Sequence, residues 1–98
     1  MIQPPFDEPL AADVAQRLIR HIHATGGVVI SGHARGRMSQ HRLEPKDCDH
    51  VLRAGWVMPG EWEHGTWRYQ VRTQRVTVVV TVRSLAELVV VTAWRNEP

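Results

Sequence analysis

The sequence predicts an α+β domain in which N-terminal helices pack on one face of a three- to four-stranded antiparallel sheet. Three observations carry that prediction. Apolar residues recur at helical spacing as far as Leu52, the period changes to two from Trp56 onward, and turn-forming segments cut the second half into strand-length runs. A chain of 98 residues supports one core, so residues 1–98 form a single domain, with an N-terminal helical segment at 1–27 and the remaining core at 28–95.

Each element follows from local chemistry. Leu10, Val14, Leu18, Ile19 and Ile22 give the first helix its apolar side, and Gly26-Gly27 ends it. Val28 to Ser31 is a short apolar run with strand character. The segment from His33 to Leu43 reads as a second helix, broken before Pro45. At 100° per residue, Ala34, Met38 and His41 share one face of it. His33 and Arg37 then lie together on one flank, and Arg35 and Arg42 on the other. Pro45 stands at a first helical position with Asp47 and Asp49 in the opening turn, where the helix dipole favours acids. Cys48, Val51 and Leu52 form the apolar side of this third helix, and Gly55 closes it.

From there the side chains alternate. Trp67, Tyr69 and Val71 point one way and Arg68, Gln70 and Arg72 the other. Thr73 to Arg75 turn the chain, and Val76, Val78, Val80 and Val82 alternate with Thr77, Val79, Thr81 and Arg83. Ser84 to Glu87 make a second turn before a last strand, Leu88 to Trp94. If the valine face meets the helices, the opposite face presents Arg68, Arg72, Thr77, Thr81, Arg83 and Thr92. Such a face suits a ribose-phosphate chain, although an antiparallel sheet commonly leaves one polar face to water.

Charge and composition narrow the function. The net charge is +2, but residues 31–83 carry eight arginines and one lysine against five acids, while both ends are acidic on balance. Basic character is therefore concentrated mid-chain, as an anion-binding surface requires. The longest apolar run, Val76 to Val82, is too short to cross a bilayer, and no membrane partner is expected. Pro4, Pro5, Asp7 and Glu8 depart from the pattern of a signal peptide. A single cysteine, Cys48, permits no internal disulfide, which makes the cytoplasm the expected location. His21-x-His23, Cys48-x-His50 and His64 match no metal-ligand spacing, so neither metal nor cofactor is expected. Trp56, Trp62 and Trp67, with Glu61, Glu63 and His64 among them, span a loop and a strand start.

His33 and Arg37 are the strongest chemical signal: an imidazole that titrates near neutrality beside a fixed guanidinium suits phosphodiester chemistry. His33-Ala34, Arg37-Met38, His41-Arg42-Leu43, the helix with Asp47 and Val51, Gly55, and a final strand with Val91-Thr92 resemble the bacterial domain-of-unknown-function family four-two-five-eight over residues 29–95. That resemblance implies a RelE-like fold, akin to RelE-like and BrnT-like toxins, which are small ribonucleases of toxin–antitoxin systems. It implies a metal-independent endoribonuclease acting on RNA, with a protein antitoxin or regulatory partner. His33 would be the acid or base, Arg37 the phosphate clamp, Arg68 and Arg72 would track the backbone, and Thr92 would orient it. Trp94 and Tyr69 offer rings for stacking on bases, although Tyr69 falls on the core face. The family's second arginine and glycine are replaced here by His41 and Arg42. That departure favours an alternative, a non-catalytic module of the same fold that holds nucleic acid or a protein.

Overall fold

Helix α1 (Ala12–Thr25) buries Ala15, Ile19 and Ile22, three residues on one stripe, while Val14 remains 40 % exposed and Leu18 sits at the border. Burying a side chain such as Ile19 or Ile22 contributes about 1.5–3 kcal/mol. The helix is tied down at both ends. The Leu10 N–H donates to the Tyr69 hydroxyl at 2.8 Å, and Arg20 Nη2 donates to the Gly55 carbonyl at 2.8 Å. Gly26 ends α1 where the chain passes tightly over the distant Leu85-Ala86 turn: a Cβ there would lie 2.3 Å from the Ala86 carbonyl oxygen. The computed structural model describes residues 9–97, so the segment carrying Pro4, Pro5, Asp7 and Glu8 lies outside it.

Strand β1 (Gly27–Ile30) is followed by α2 (Gly32–Gln40) and α3 (Pro45–Ala54). Ser31 caps α2, its hydroxyl accepting the Ala34 N–H at 3.0 Å. In α3 the Asp47 carboxylate accepts the Glu44 N–H at 2.7 Å, and Pro45 occupies the first turn. The strands that follow are β2 (Trp56–Val57), β3 (Glu61–Glu63), β4 (Thr66–Arg72), β5 (Val76–Ser84) and β6 (Glu87–Arg95).

The sheet is larger and more varied than the sequence predicts. In place of three or four antiparallel strands there are six, in the order β1-β6-β5-β4-β2, with β3 also on β4, and β1 runs parallel to β6. The physical reason is length. Strands of two to four residues carry too little alternation to announce themselves, and the pairing of Gly27 with Glu87 is set by tertiary packing alone. The three long strands follow the alternation closely, and the broad α+β class holds.

Helices α1 and α3 cover one face. The core there joins Ile19, Ile22, Val51 and Leu52 to Tyr69, Val71, Val78, Val80, Leu88, Val90 and Ala93. The skip from Val90 to Ala93 marks a β-bulge: Val80 pairs with Val90 and Val79 with Thr92, leaving Val91 as the extra residue. Strict alternation would have put Thr92 on the core face with Leu88 and Val90. The bulge turns it to the uncovered face instead.

Helix α2 continues where β1 stops. The Ser31 N–H donates to Val90 O at 3.0 Å, and farther along the Arg95 N–H donates to His41 Nδ1 at 3.1 Å. Arg95 also donates to the carbonyls of His41 and Arg42, both at 3.2 Å. The helix therefore flanks the second half of β6. Ala34 and Met38 face the core, and His33 and Arg37 stand at the rim of the uncovered face.

Candidate functional site

That rim borders a cleft of about 620 Å³ on the uncovered face. Strands β4, β5 and β6 make the floor, with Arg68, Gln70, Val79, Val91, Thr92 and Trp94. Ser31 and His33 form one wall, and Glu61, Glu63 and His64 form the other. His33 lies in the first turn of α2, exposed, on a helix end held by the Ser31 cap. Thr92 reaches the floor through the Val91 bulge, and Val91 lines the cleft beside it.

Three of the five residues singled out by sequence, His33, Arg68 and Thr92, meet in this one cleft. The other two do not. Arg37 lies in an adjoining depression of about 430 Å³ with His41, Arg95, Asn96 and Glu97, and Trp94 is common to both hollows. The Arg37 Nε is shielded from solvent and has no hydrogen-bond partner among the described residues. Arg72 has the same facing as Arg68, but its guanidinium is occupied by Gln70, with Nε and Nη2 at 3.0 and 2.7 Å from Gln70 Oε1. Gln70, not Arg72, lines the floor of the cleft.

The remaining members of the expected polar face are committed elsewhere. Thr77 is buried and donates to Asn96 Oδ1 at 2.7 Å, Thr81 donates to Trp67 O at 2.9 Å, and Arg83 pairs with Glu87 at 2.8 Å. His41, at the end of α2, is a structural residue whose Nδ1 accepts the Arg95 N–H. Tyr69 is a core residue, 1 % exposed, so its ring is not available to a ligand.

The wall built by β3 alters the electrostatics. Glu61 stands directly opposite Arg68 in the β3–β4 ladder, and Glu63 Oε1 lies 3.7 Å from His64 Nε2. The cleft is therefore mixed in charge, with one guanidinium, two imidazoles and two carboxylates. The signal for this wall was present in the alternation Glu61-Trp62-Glu63 ahead of the turn pair His64-Gly65. Both turn residues have positive φ, 50° and 80°, the left-handed geometry of a two-residue hairpin. On the other side of that hairpin Trp62 and Trp67 pair edge to face, with ring centroids 5.3 Å apart.

Among the described residues, no group of three or more His, Cys, Asp or Glu is placed to hold a metal ion. Cys48 is not a nucleophile in waiting. It is buried against Met38, with Sγ 3.8 Å from Sδ, and its thiol is pushed up to about 11 by burial and then by Asp47 and Asp49. His23 pairs with Asp49 at 3.3 Å and links the end of α1 to α3. No described helix is long and apolar enough to cross a membrane.

Comparison with protein-family models, with curated proteins and with solved structures finds no match to this chain. The cleft is thus the starting point for function.

Proposed function

We propose that the chain is a metal-independent endoribonuclease of the RelE-like toxin type, cutting single-stranded RNA in the cleft on the uncovered sheet face. The observation that carries this reading is the convergence of His33, Arg68 and Thr92, from one helix and two strands, on a single cleft.

The chemistry is transesterification. A base takes the proton of a ribose 2′-hydroxyl, the 2′-oxygen attacks phosphorus, the bond from phosphorus to O5′ breaks, and an acid returns a proton to O5′. The products are a 2′,3′-cyclic phosphate and a 5′-hydroxyl. His33 moves one of these protons. Arg68 faces the charge that grows on the non-bridging oxygens, and Thr92 donates a hydrogen bond that fixes the phosphate. The carboxylates Glu61 and Glu63 repel a polyanion, which favours phosphate positions toward α2, and Glu61, opposite Arg68 in the ladder, tempers that guanidinium's pull. A protein partner that lies over the uncovered face would block the cleft, and this is the regulatory partner the reading expects. The cytoplasm, where RNA is plentiful, is the matching location.

Incubation of purified protein with single-stranded RNA in excess chelator tests the proposal. The wild type is expected to cut, and His33→Ala to cut about 100- to 10,000-fold more slowly with an unchanged melting curve, since His33 is exposed. Cleavage that chelation abolishes would contradict the chemistry. RNA binding by a protein that never cuts would favour the non-catalytic module of the same fold.

A further inference from the structure

We infer that Arg37 and Trp94 form a second subsite, which takes the nucleotide one step beyond the two that flank the scissile phosphate: its base stacks on Trp94 and the phosphate that joins it to the strand is held by Arg37. This rests on the endoribonuclease reading and makes the preferred substrate a strand of at least three nucleotides.

The inference starts from an arginine with nothing to hold. Arg37 is half-buried, makes no hydrogen bond or ion pair among the described residues, and has its Nε shielded from water. A partly shielded guanidinium without an acceptor among the described residues is prepared for an anion, and phosphate matches its forked donors. Arg37 does not line the His33 cleft, so the phosphate it meets is not the one at His33 and Arg68.

The spacing agrees. His33 and Arg37 are four residues apart on α2, with Cβ atoms about 5–6 Å apart, comparable to one step of a nucleic-acid backbone. Between the two hollows stands Trp94, half-buried and common to both. An indole face at that point receives a base of any sequence. The flanking group Glu97 and the backbone-committed Arg95 border the outer hollow, leaving Arg37 as its unpaired guanidinium.

Steady-state kinetics on short substrates provides the test. On a dinucleotide, which has one phosphate, Arg37→Ala should match the wild type; Trp94 also lines the cleft floor, so the effect of Trp94→Leu is read as the trinucleotide-to-dinucleotide ratio within that variant. On a trinucleotide extended on the productive side, the wild type should gain through a lower KM. Arg37→Ala should lose about 10- to 100-fold of that gain, and Trp94→Leu about 5- to 100-fold. Arg37→Lys should recover part of it and Trp94→Phe most of it. An abasic flanking nucleotide should abolish the Trp94 effect and leave the Arg37 effect in place. The subsite is refuted if neither the 5′- nor the 3′-extended trinucleotide outperforms the dinucleotide. It is refuted equally if Arg37→Ala is as damaging on the dinucleotide, which would put Arg37 at the scissile phosphate. Either result leaves the endoribonuclease reading standing, whereas a wild type that cuts neither substrate overturns both.

Discussion

His64 occupies the first left-handed position of the β3–β4 turn, with φ 50°, ahead of Gly65. Asparagine tolerates that geometry better, and the exposed contact to Glu63 at 3.7 Å contributes little. His64→Asn is therefore expected to raise the melting temperature slightly, corresponding to about 0.5 kcal/mol or more; a lower melting temperature would show that the Glu63 contact outweighs the turn. Cys48 gives a prediction of opposite sign. Its thiol is held near 11 in the folded protein against an ordinary 9.0, because burial, Asp47 and Asp49 disfavour the thiolate. Below about pH 9 the thiol is protonated in folded and unfolded chains alike. Between about 9 and 11 only the unfolded chain loses the proton, so stability falls as pH rises. Burial also raises the Tyr69 phenol, with the Leu10 N–H opposing it, and the same loss continues above pH 10. Thermal melts should drop across that range, and less steeply in Cys48→Ala; parallel slopes would remove Cys48 as the cause.

At the level of elements, the site depends on two small devices, the Ser31 cap and the Val91 bulge. Ser31→Ala removes the acceptor for the Ala34 N–H and is expected to cost about 1 kcal/mol by denaturant melting, with cleavage reduced as well because the first turn of α2 carries His33. Deleting Val91 removes the extra residue and leaves Val90 inward, Thr92 outward and Ala93 inward in plain alternation. That variant should fold with Thr92 still on the uncovered face, as should Val91→Ala; a deletion variant that fails to fold would show that the bulge itself is required. The same devices show what the sequence makes legible. Helical spacing identified Ile19, Ile22, Ala34, Met38, Val51 and Leu52 as core, and alternation ordered Tyr69, Val71, Val78 and Val80 correctly. Alternation alone could not reveal the Val91 bulge, since four consecutive apolar residues from Leu88 to Val91 fit either register about equally. Nor could it reveal that β1 lies parallel to β6, a pairing of residues sixty positions apart that only the closed core specifies. His33 and Arg37 were legible as a pair on one flank. Their division between two hollows depends on Trp94, which lies more than fifty residues away.

For the whole molecule, the helices cover one face of a six-stranded sheet and leave the other to a cleft that joins α2 to the β3 hairpin. RNA held there by Arg37 and Arg68 should bind less tightly as salt rises. The slope of log affinity against log salt should fall by roughly 0.7 for each phosphate-bound arginine replaced. Affinity that ignores salt would remove the polyanion from the account. The central claim is that the 2′-hydroxyl of RNA is the nucleophile in this cleft and His33 one of its proton carriers. The most direct test is an oligonucleotide cut at one mapped bond, compared with the same strand carrying a single 2′-deoxy sugar 5′ to that bond. The account predicts a 2′,3′-cyclic phosphate from the first and no cut at that position in the second; cleavage of the deoxy-substituted bond, or a 3′-hydroxyl product, would contradict it.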